Sequence, residues 1–355
     1  MELAFLQDLK LRYVSDTESG YIRNRRGKGF FYTTAVGEKV TDAKVIERIR
    51  GLVIPPMWKK VWICKHANGH IQVTGLDAKN RKQYIYHPAW TEHRQSSKFL
   101  KMADFAKFLP LIRAHVKTDL RRHGWPKEKA LALVINLLDE AHMRIGNLYY
   151  RDLNNTYGLT TLRRRHMKIN GSSVQFEYKA KSGIQRKVKI LDKGLVRLIK
   201  QCAELPGYEV FKYLDGEGHS HTLDSHDVNQ YLKTITGENF SSKDFRTWGA
   251  TRQAVCLFPE AVAEHVANPK KKLRNLLVKK VAEKLGNTQK VCETYYIHPY
   301  VLEILLAGEF DQYTQAARLK YRKLSQSLRP EEVTALYLIE RYDELKAALG
   351  SAKAA

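Results

Sequence analysis

The chain has 355 residues with 61 Lys and Arg against 37 Asp and Glu, a formal net charge of +24 that favours a polyanionic partner, nucleic acid first. Its four cysteines are scattered without a C-x-x-C pair, and there is no P-loop, no G-x-G-x-x-G motif, no signal peptide and no apolar run of membrane-spanning length. We therefore expect a cytoplasmic protein of two domains, with no metal site and no cofactor.

The first 90 residues predict a small β-rich domain. Three short runs rich in β-branched and aromatic residues are typical of strands: 61–63, 71–73 and 83–86. Asp42 can cap a short helix that precedes them. The polar segment 91–101 follows and is the predicted boundary, which divides the chain into an N-terminal domain (1–90) and a mainly helical domain (91–355).

The larger domain opens with a strongly periodic helix. Apolar residues after Pro126 recur at the i, i+3, i+4, i+7 spacing of one buried face: Leu131, Val134, Ile135 and Leu138. This helix is expected to run to about Arg144 and to break near Gly146.

Residues 166–190 change from helical to alternating periodicity. Asn170-Gly171 is typical of a type I′ hairpin turn, and a second turn at Lys181-Ser-Gly183 follows. The pattern predicts a three-stranded antiparallel sheet with Lys181 at a hairpin tip. Helices then resume, and Thr288 is expected to cap the one that carries Tyr296. The fold class predicted is α+β, a β-rich N-terminal domain followed by a mainly α-helical domain with this small sheet.

A basic protein that broke a phosphodiester without a metal would need a particular set of side chains. Arginines suit the nonbridging oxygens because they donate paired hydrogen bonds and stay charged. A lysine can protonate the leaving oxygen, and a tyrosine can form a covalent phosphodiester that allows resealing. Composition alone does not choose these residues, because the chain has 61 basic residues and 19 tyrosines.

Ordered motifs narrow the choice. Four segments resemble the catalytic domain of the bacterial and poxvirus-like type IB DNA topoisomerases: Arg144-Ile-Gly146 with residues 157–166, Ala180–Gly183, Lys243–Gly249, and Leu285–Thr288 with Tyr296. Residues 77–86 also resemble the family's segment that touches DNA. The resemblance covers roughly residues 10–310. It implies a DNA clamp that relaxes supercoiled duplex DNA by transient single-strand cleavage, without ATP or metal.

The resemblance also implies the role of each matching residue. Tyr296 would be the nucleophile that forms a 3′-phosphotyrosine, and its nine-residue spacing from Asn287 selects it over Tyr295. Arg144 and Arg246 would bind the nonbridging oxygens. Lys181 would be the general acid, and Lys243 would assist the proton relay. Asn287 would donate a hydrogen bond at the position where the family usually has histidine. The expected DNA-binding residues are Gln83, Tyr84, Tyr86 and Tyr150.

Two other classes of function stay open at this point. A tyrosine recombinase or integrase shares the Arg, Lys, Arg, Tyr chemistry, although Lys243-x-x-Arg246 stands where recombinases typically have His-x-x-Arg. A non-catalytic architectural DNA-binding protein would explain the charge but not the spaced motifs. The partner expected in each case is double-stranded DNA, and for a topoisomerase we expect a monomer.

Overall fold

The computed structural model describes residues 6, 9–27, 29–78, 80–308 and 310–352, without the side chains of 95–97, 100, 150 and 345–352. The chain divides into two compact units, Met1–Lys98 and Phe99–Ala355. Over the described ranges, no helix combines the length and the apolar character needed to cross a lipid bilayer.

The first unit is built on a five-stranded antiparallel sheet of order β2-β1-β3-β4-β5. Its strands are β1 (Tyr21–Arg26), β2 (Gly29–Thr34), β3 (Lys59–Ile63), β4 (Ile71–Leu76) and β5 (Lys82–Tyr86). Helix α1 (Ala43–Gly51) begins where the carboxylate of Asp42 accepts the backbone N–H groups of Lys44 and Val45, so the predicted cap is confirmed. Ile49 of this helix packs with apolar side chains of β3 and β4 to form the unit's core.

The division between the units falls after Lys98, inside the polar segment 91–101, rather than after residue 90. That segment is no loop, because one continuous helix, α2 (Pro88–Asp119), runs through it.

The second unit is mainly helical, as predicted, and carries the larger core. Its further helices are α3 (Lys127–Ala141), α4 (Leu148–Asn154), α5 (Lys193–Glu204), α6 (Ser225–Thr236), α7 (Ser242–Ala267), α8 (Leu273–Leu285), α9 (Gln289–Tyr295), α10 (Pro299–Leu306), α11 (Phe310–Lys320) and α12 (Pro330–Ala352). All four predicted apolar positions of α3 are part of this core or line it.

The predicted three-stranded antiparallel sheet is confirmed, with order β6-β7-β8. Its strands are β6 (Met167–Asn170), β7 (Ser173–Lys179) and β8 (Gln185–Ile190). Gly171 takes a φ of 55° in the first turn, which glycine adopts without strain. The sequence did not predict the short pair β9 (Lys212–Leu214) and β10 (Ser220–Thr222).

Two predicted helix ends were wrong. Helix α3 stops at Ala141, three residues before Arg144, because His142 takes a left-handed conformation with φ 49° and ψ 31°. Helix α9 stops at Tyr295, so that Tyr296 caps its C-terminus instead of lying within it. Both functional candidates therefore stand on irregular backbone just beyond a helix.

Candidate active site

The two predicted arginines meet at one asparagine side chain. Arg144 donates through Nη2 to Oδ1 of Asn287, and Nη2 of Arg246 reaches the same oxygen at 3.2 Å. Arg246 lies in the second turn of α7 and is buried, whereas Arg144 is half-buried. Asn287 is placed by Gly286, which ends α8 in a left-handed conformation with φ 63°. Three separate segments of sequence thus converge on one point.

Other donors of the two arginines bind backbone carbonyls, whereas Nε of Arg246 is buried and has no hydrogen-bond partner among the described residues. Arg144 donates through Nη1 to the carbonyl of Gly286 at 3.3 Å, and Arg246 donates through Nη1 to the carbonyl of His142. The second bond of Arg246 goes to the carbonyl of Leu285 at 3.1 Å. Arg246 is therefore bonded to the C-terminal ends of both α3 and α8, and Arg144 to the end of α8, where carbonyls lack helical partners.

This cluster holds excess positive charge. Burial lowers the pKa of Arg144 to about 10, and the neighbouring charge of Arg246 contributes to that shift. A bound phosphate would relieve the repulsion between the two guanidinium groups. In addition, the amide nitrogen Nδ2 of Asn287 is buried and has no hydrogen-bond partner among the described residues. Two cations and one unpaired donor suit an anion with several oxygens.

Tyr296 lies beside this cluster. The guanidinium carbon of Arg246 is 5.3 Å from the centre of its half-buried ring. The backbone of Tyr296 is held by Thr251, whose hydroxyl donates to its carbonyl at 3.5 Å and accepts the N–H of His298 at 3.0 Å. The neighbouring Tyr295 has 45% of its surface exposed. Tyr296 is half-buried and packs against an arginine of the cluster.

The two candidate lysines are exposed. Lys181 opens the turn between β7 and β8, where Ser182 takes a φ of 65°. Lys243 lies in the first turn of α7, one turn before Arg246. Both side chains can move without breaking a contact of the core, as a proton-transferring group at a substrate's edge requires.

Arg186 connects the Lys181 hairpin to the cluster, and sequence reasoning missed it. It stands opposite Tyr178 in the sheet. Its buried guanidinium donates to the carbonyls of Glu283 at 3.0 Å and Lys284 at 2.6 Å, at the end of α8. No local pattern marks this residue, because its partners lie almost one hundred positions away in the chain.

The predicted DNA-binding residues of the first unit lie on β5. Tyr84 and Tyr86 are exposed on one face and stack with ring centres 5.7 Å apart. Gln83 faces the other way and donates to the carboxylate of Asp77 at 3.0 Å. The side chain of Tyr150, the fourth predicted contact, lies outside the described residues. Within the described part, no three His, Cys, Asp or Glu side chains are grouped as a metal would require.

Comparison with solved structures gives a distant neighbour. The site-specific recombinase XerH bound to its palindromic difH substrate aligns over 67% of this chain and 59% of the recombinase, with a TM-score of 0.35 and 14% identity. Those values are too low to carry an argument about fold or function.

Similarity to protein families and to individual relatives identifies the family of this chain. The model of the eukaryotic DNA topoisomerase I catalytic core matches residues 82–323, and that of the bacterial DNA topoisomerase IB N-terminal domain matches residues 29–77. DNA topoisomerase 1B of Acanthamoeba polyphaga mimivirus is 30% identical over 80% of this chain and 87% of the relative. DNA topoisomerase 1B of Vaccinia virus (strain Copenhagen) is 20% identical over 77% of this chain and 83% of the relative. The chain therefore belongs to the type IB DNA topoisomerases.

Proposed function

We propose that this protein relaxes supercoiled duplex DNA by cutting and resealing one strand through Tyr296, without ATP or a metal ion. The observation that carries the proposal is the convergence of Arg144, Arg246 and Asn287 beside Tyr296. The unpaired amide of Asn287 and the crowded guanidinium groups provide donors for the two nonbridging oxygens of a phosphodiester.

In the cleavage step, the phenolic oxygen of Tyr296 attacks phosphorus and loses its proton to solvent. A bond forms between that oxygen and phosphorus, and the bond from phosphorus to the 5′ oxygen breaks. Lys181 protonates the departing oxygen, with Lys243 assisting the relay, and leaves a 5′-hydroxyl. Arg144 and Arg246 neutralise the charge that develops in the transition state, an effect worth about 3–4 kcal/mol for one donor.

Resealing reverses these steps, because the phosphotyrosine keeps the energy of the broken bond. Between the two steps the free 5′ end turns about the intact strand, and torsion stored in the DNA drives relaxation. We propose that the protein binds double-stranded DNA as a monomer. We also propose that the exposed Tyr84 and Tyr86 contact DNA, and that the protein associates with the bacterial nucleoid.

Relaxation of supercoiled plasmid in EDTA without ATP tests the proposal. Wild-type protein should relax positive and negative supercoils, and Tyr296→Phe should abolish both relaxation and covalent DNA capture. Tyr295→Phe is the matched control and should remain active. Activity of Tyr296→Phe would remove Tyr296 from its role.

Absence of relaxation despite tight DNA binding would favour the other classes. A covalent adduct on paired sites, with assembly into a tetramer, would indicate a recombinase. Binding without any covalent adduct would indicate an architectural protein.

A further inference from the structure

His142 connects to both proposed catalytic arginines. Its carbonyl accepts a hydrogen bond from Arg246, and its left-handed backbone ends α3 and turns the chain toward Arg144 two residues later. A residue other than glycine in this conformation is uncommon, and a buried histidine there must be held by its surroundings.

The imidazole of His142 is held as a neutral acceptor. Its Nε2 accepts from Nη2 of Arg252 at 3.1 Å and from Nε2 of Gln253 at 3.2 Å. Burial lowers the pKa of His142 to about 3, and the charge of Arg246 adds to the shift. The Nδ1 side of the ring lies against Gly249, where a side-chain carbon would be only 2.6 Å from Nδ1. The neutral ring therefore carries its proton on Nδ1, which is buried and has no hydrogen-bond partner among the described residues.

Arg252 lies within ion-pair distance of Glu332 of α12, although no hydrogen bond joins the two side chains. Glu332 is fully buried, and its Oε1 lies 3.5 Å from Nη1 of Arg252. The same carboxylate accepts from Arg113 at 2.7 and 2.8 Å, and Arg113 also donates to Asp139 at 2.8 Å. Burial alone would raise the pKa of Glu332, but the bonds from Arg113 lower it below its ordinary value. The carboxylate is thus a fixed negative charge.

We propose that Glu332 and Arg252 are positioning residues for DNA cleavage, which act through His142 to set the two arginines that grip the scissile phosphate. Glu332 orients Arg252, Arg252 holds the ring of His142, and the carbonyl of His142 fixes Arg246. This inference rests on the proposed function and gives helix α12 a part in it. Since a displacement of about 1 Å in a catalytic group can cost about 10²-fold in rate, small movements along this chain of contacts should be visible.

The test measures formation of the covalent adduct in a single turnover on a short duplex, with enzyme in excess. Arg252→Met and Glu332→Gln should lower the cleavage rate constant about 10- to 100-fold, while the DNA dissociation constant stays within about twofold. Asp119→Asn is the matched control. It also removes a buried paired charge, bonded to Arg122 and Tyr231, without contact to His142. Its cleavage rate should equal that of the wild type.

A second substrate separates positioning from loss of stability. Replacing one nonbridging oxygen of the scissile phosphate by a methyl group removes the charge that the arginines neutralise. The loss caused by Arg252→Met should shrink at least tenfold on this methylphosphonate. An equal loss on both substrates would mean that the variant is merely less folded, and it would overturn the inference.

The outcomes separate the two proposals. Wild-type cleavage with normal rates in Arg252→Met and Glu332→Gln would overturn the positioning role alone. A wild-type protein that forms no adduct would overturn the proposed function and this inference with it. Should Arg252→Met and Glu332→Gln not fold, a third variant is available: Gln253→Met removes the other hydrogen-bond donor to His142 and leaves Glu332 unchanged. A normal cleavage rate in that variant would then count against the inference.

Discussion

At the scale of single residues, Asn287 is the side chain at which both arginines of the candidate site meet. The amide oxygen accepts hydrogen bonds from both arginines, while the amide nitrogen is buried and has no hydrogen-bond partner among the described residues. An amide can do both at once because it combines an acceptor and a donor in one group. An acceptor suits this position, because two guanidinium groups already meet there.

The effects of substituting Asn287 on the cleavage rate should follow from its dual role as acceptor and donor. Asn287→Ala removes one donor to the phosphate and should lower the cleavage rate about 10²- to 10³-fold. Asn287→Asp should lower it further, because a carboxylate would hold both arginines and repel the phosphate. Single-turnover adduct formation measures both variants. An aspartate variant more active than the alanine variant would contradict this account of the amide.

His142 should also make the stability of the protein depend on pH. Its pKa is about 3 in the folded chain against 6.5 for an unperturbed histidine. The unfolded chain therefore binds a proton that the folded chain excludes as the pH falls from 6.5 towards 3, and stability is lost across that range. In His142→Asn, which keeps a residue tolerant of the left-handed conformation, this part of the loss should vanish. Urea unfolding of both proteins between pH 7 and about pH 4 measures it, and parallel curves would argue against a neutral buried His142.

At the scale of elements, the C-terminal end of α8 carries the site, and Arg186 of β8 binds its last carbonyls. Arg186→Met should keep the volume of the side chain but lose these charged hydrogen bonds, at a cost of about 2–3 kcal/mol in the free energy of unfolding. Lys187→Met on the same strand is the control, since its solvent-exposed pairing with Glu177 should contribute little to stability. Equal urea midpoints for the two variants would exclude the stabilising role of Arg186.

Elements with a local signal could be predicted from the sequence, and elements without one could not. Asn170-Gly171 and the alternation around it predicted the hairpin, and the 3.6-residue period predicted α3. The early end of α3 was missed because the conformation of His142 depends on Arg252, Gln253 and a close glycine, which no local pattern reveals. The site shows the same contrast: motifs indicated Arg144, Arg246 and Asn287, but nothing local marked Arg186 or Glu332.

At the scale of the whole molecule, the net charge of +24 should dominate binding to DNA. Neutralised phosphates release their counterions, so affinity should fall steeply with salt, by about 10³- to 10⁵-fold between about 50 and 200 mM for 6–10 phosphate contacts. Fluorescence anisotropy with a labelled duplex gives the slope. Asp119→Asn, away from the arginine cluster, should leave the slope unchanged, and a slope near zero in the wild type would contradict a phosphate-dominated interface.

The buried ion pairs of Glu332 have a consequence for how the protein is made. During synthesis, every residue proposed to act on DNA, Tyr296 included, leaves the ribosome before Glu332 does. Until that carboxylate arrives, Arg113 and Arg252 lack one of their charged partners. A nascent chain already long enough to contain the nucleophile therefore lacks a finished site. Cleavage of DNA should therefore reach its full rate only once helix α12 is in place, and an interrupted translation product should cleave more slowly than the finished protein.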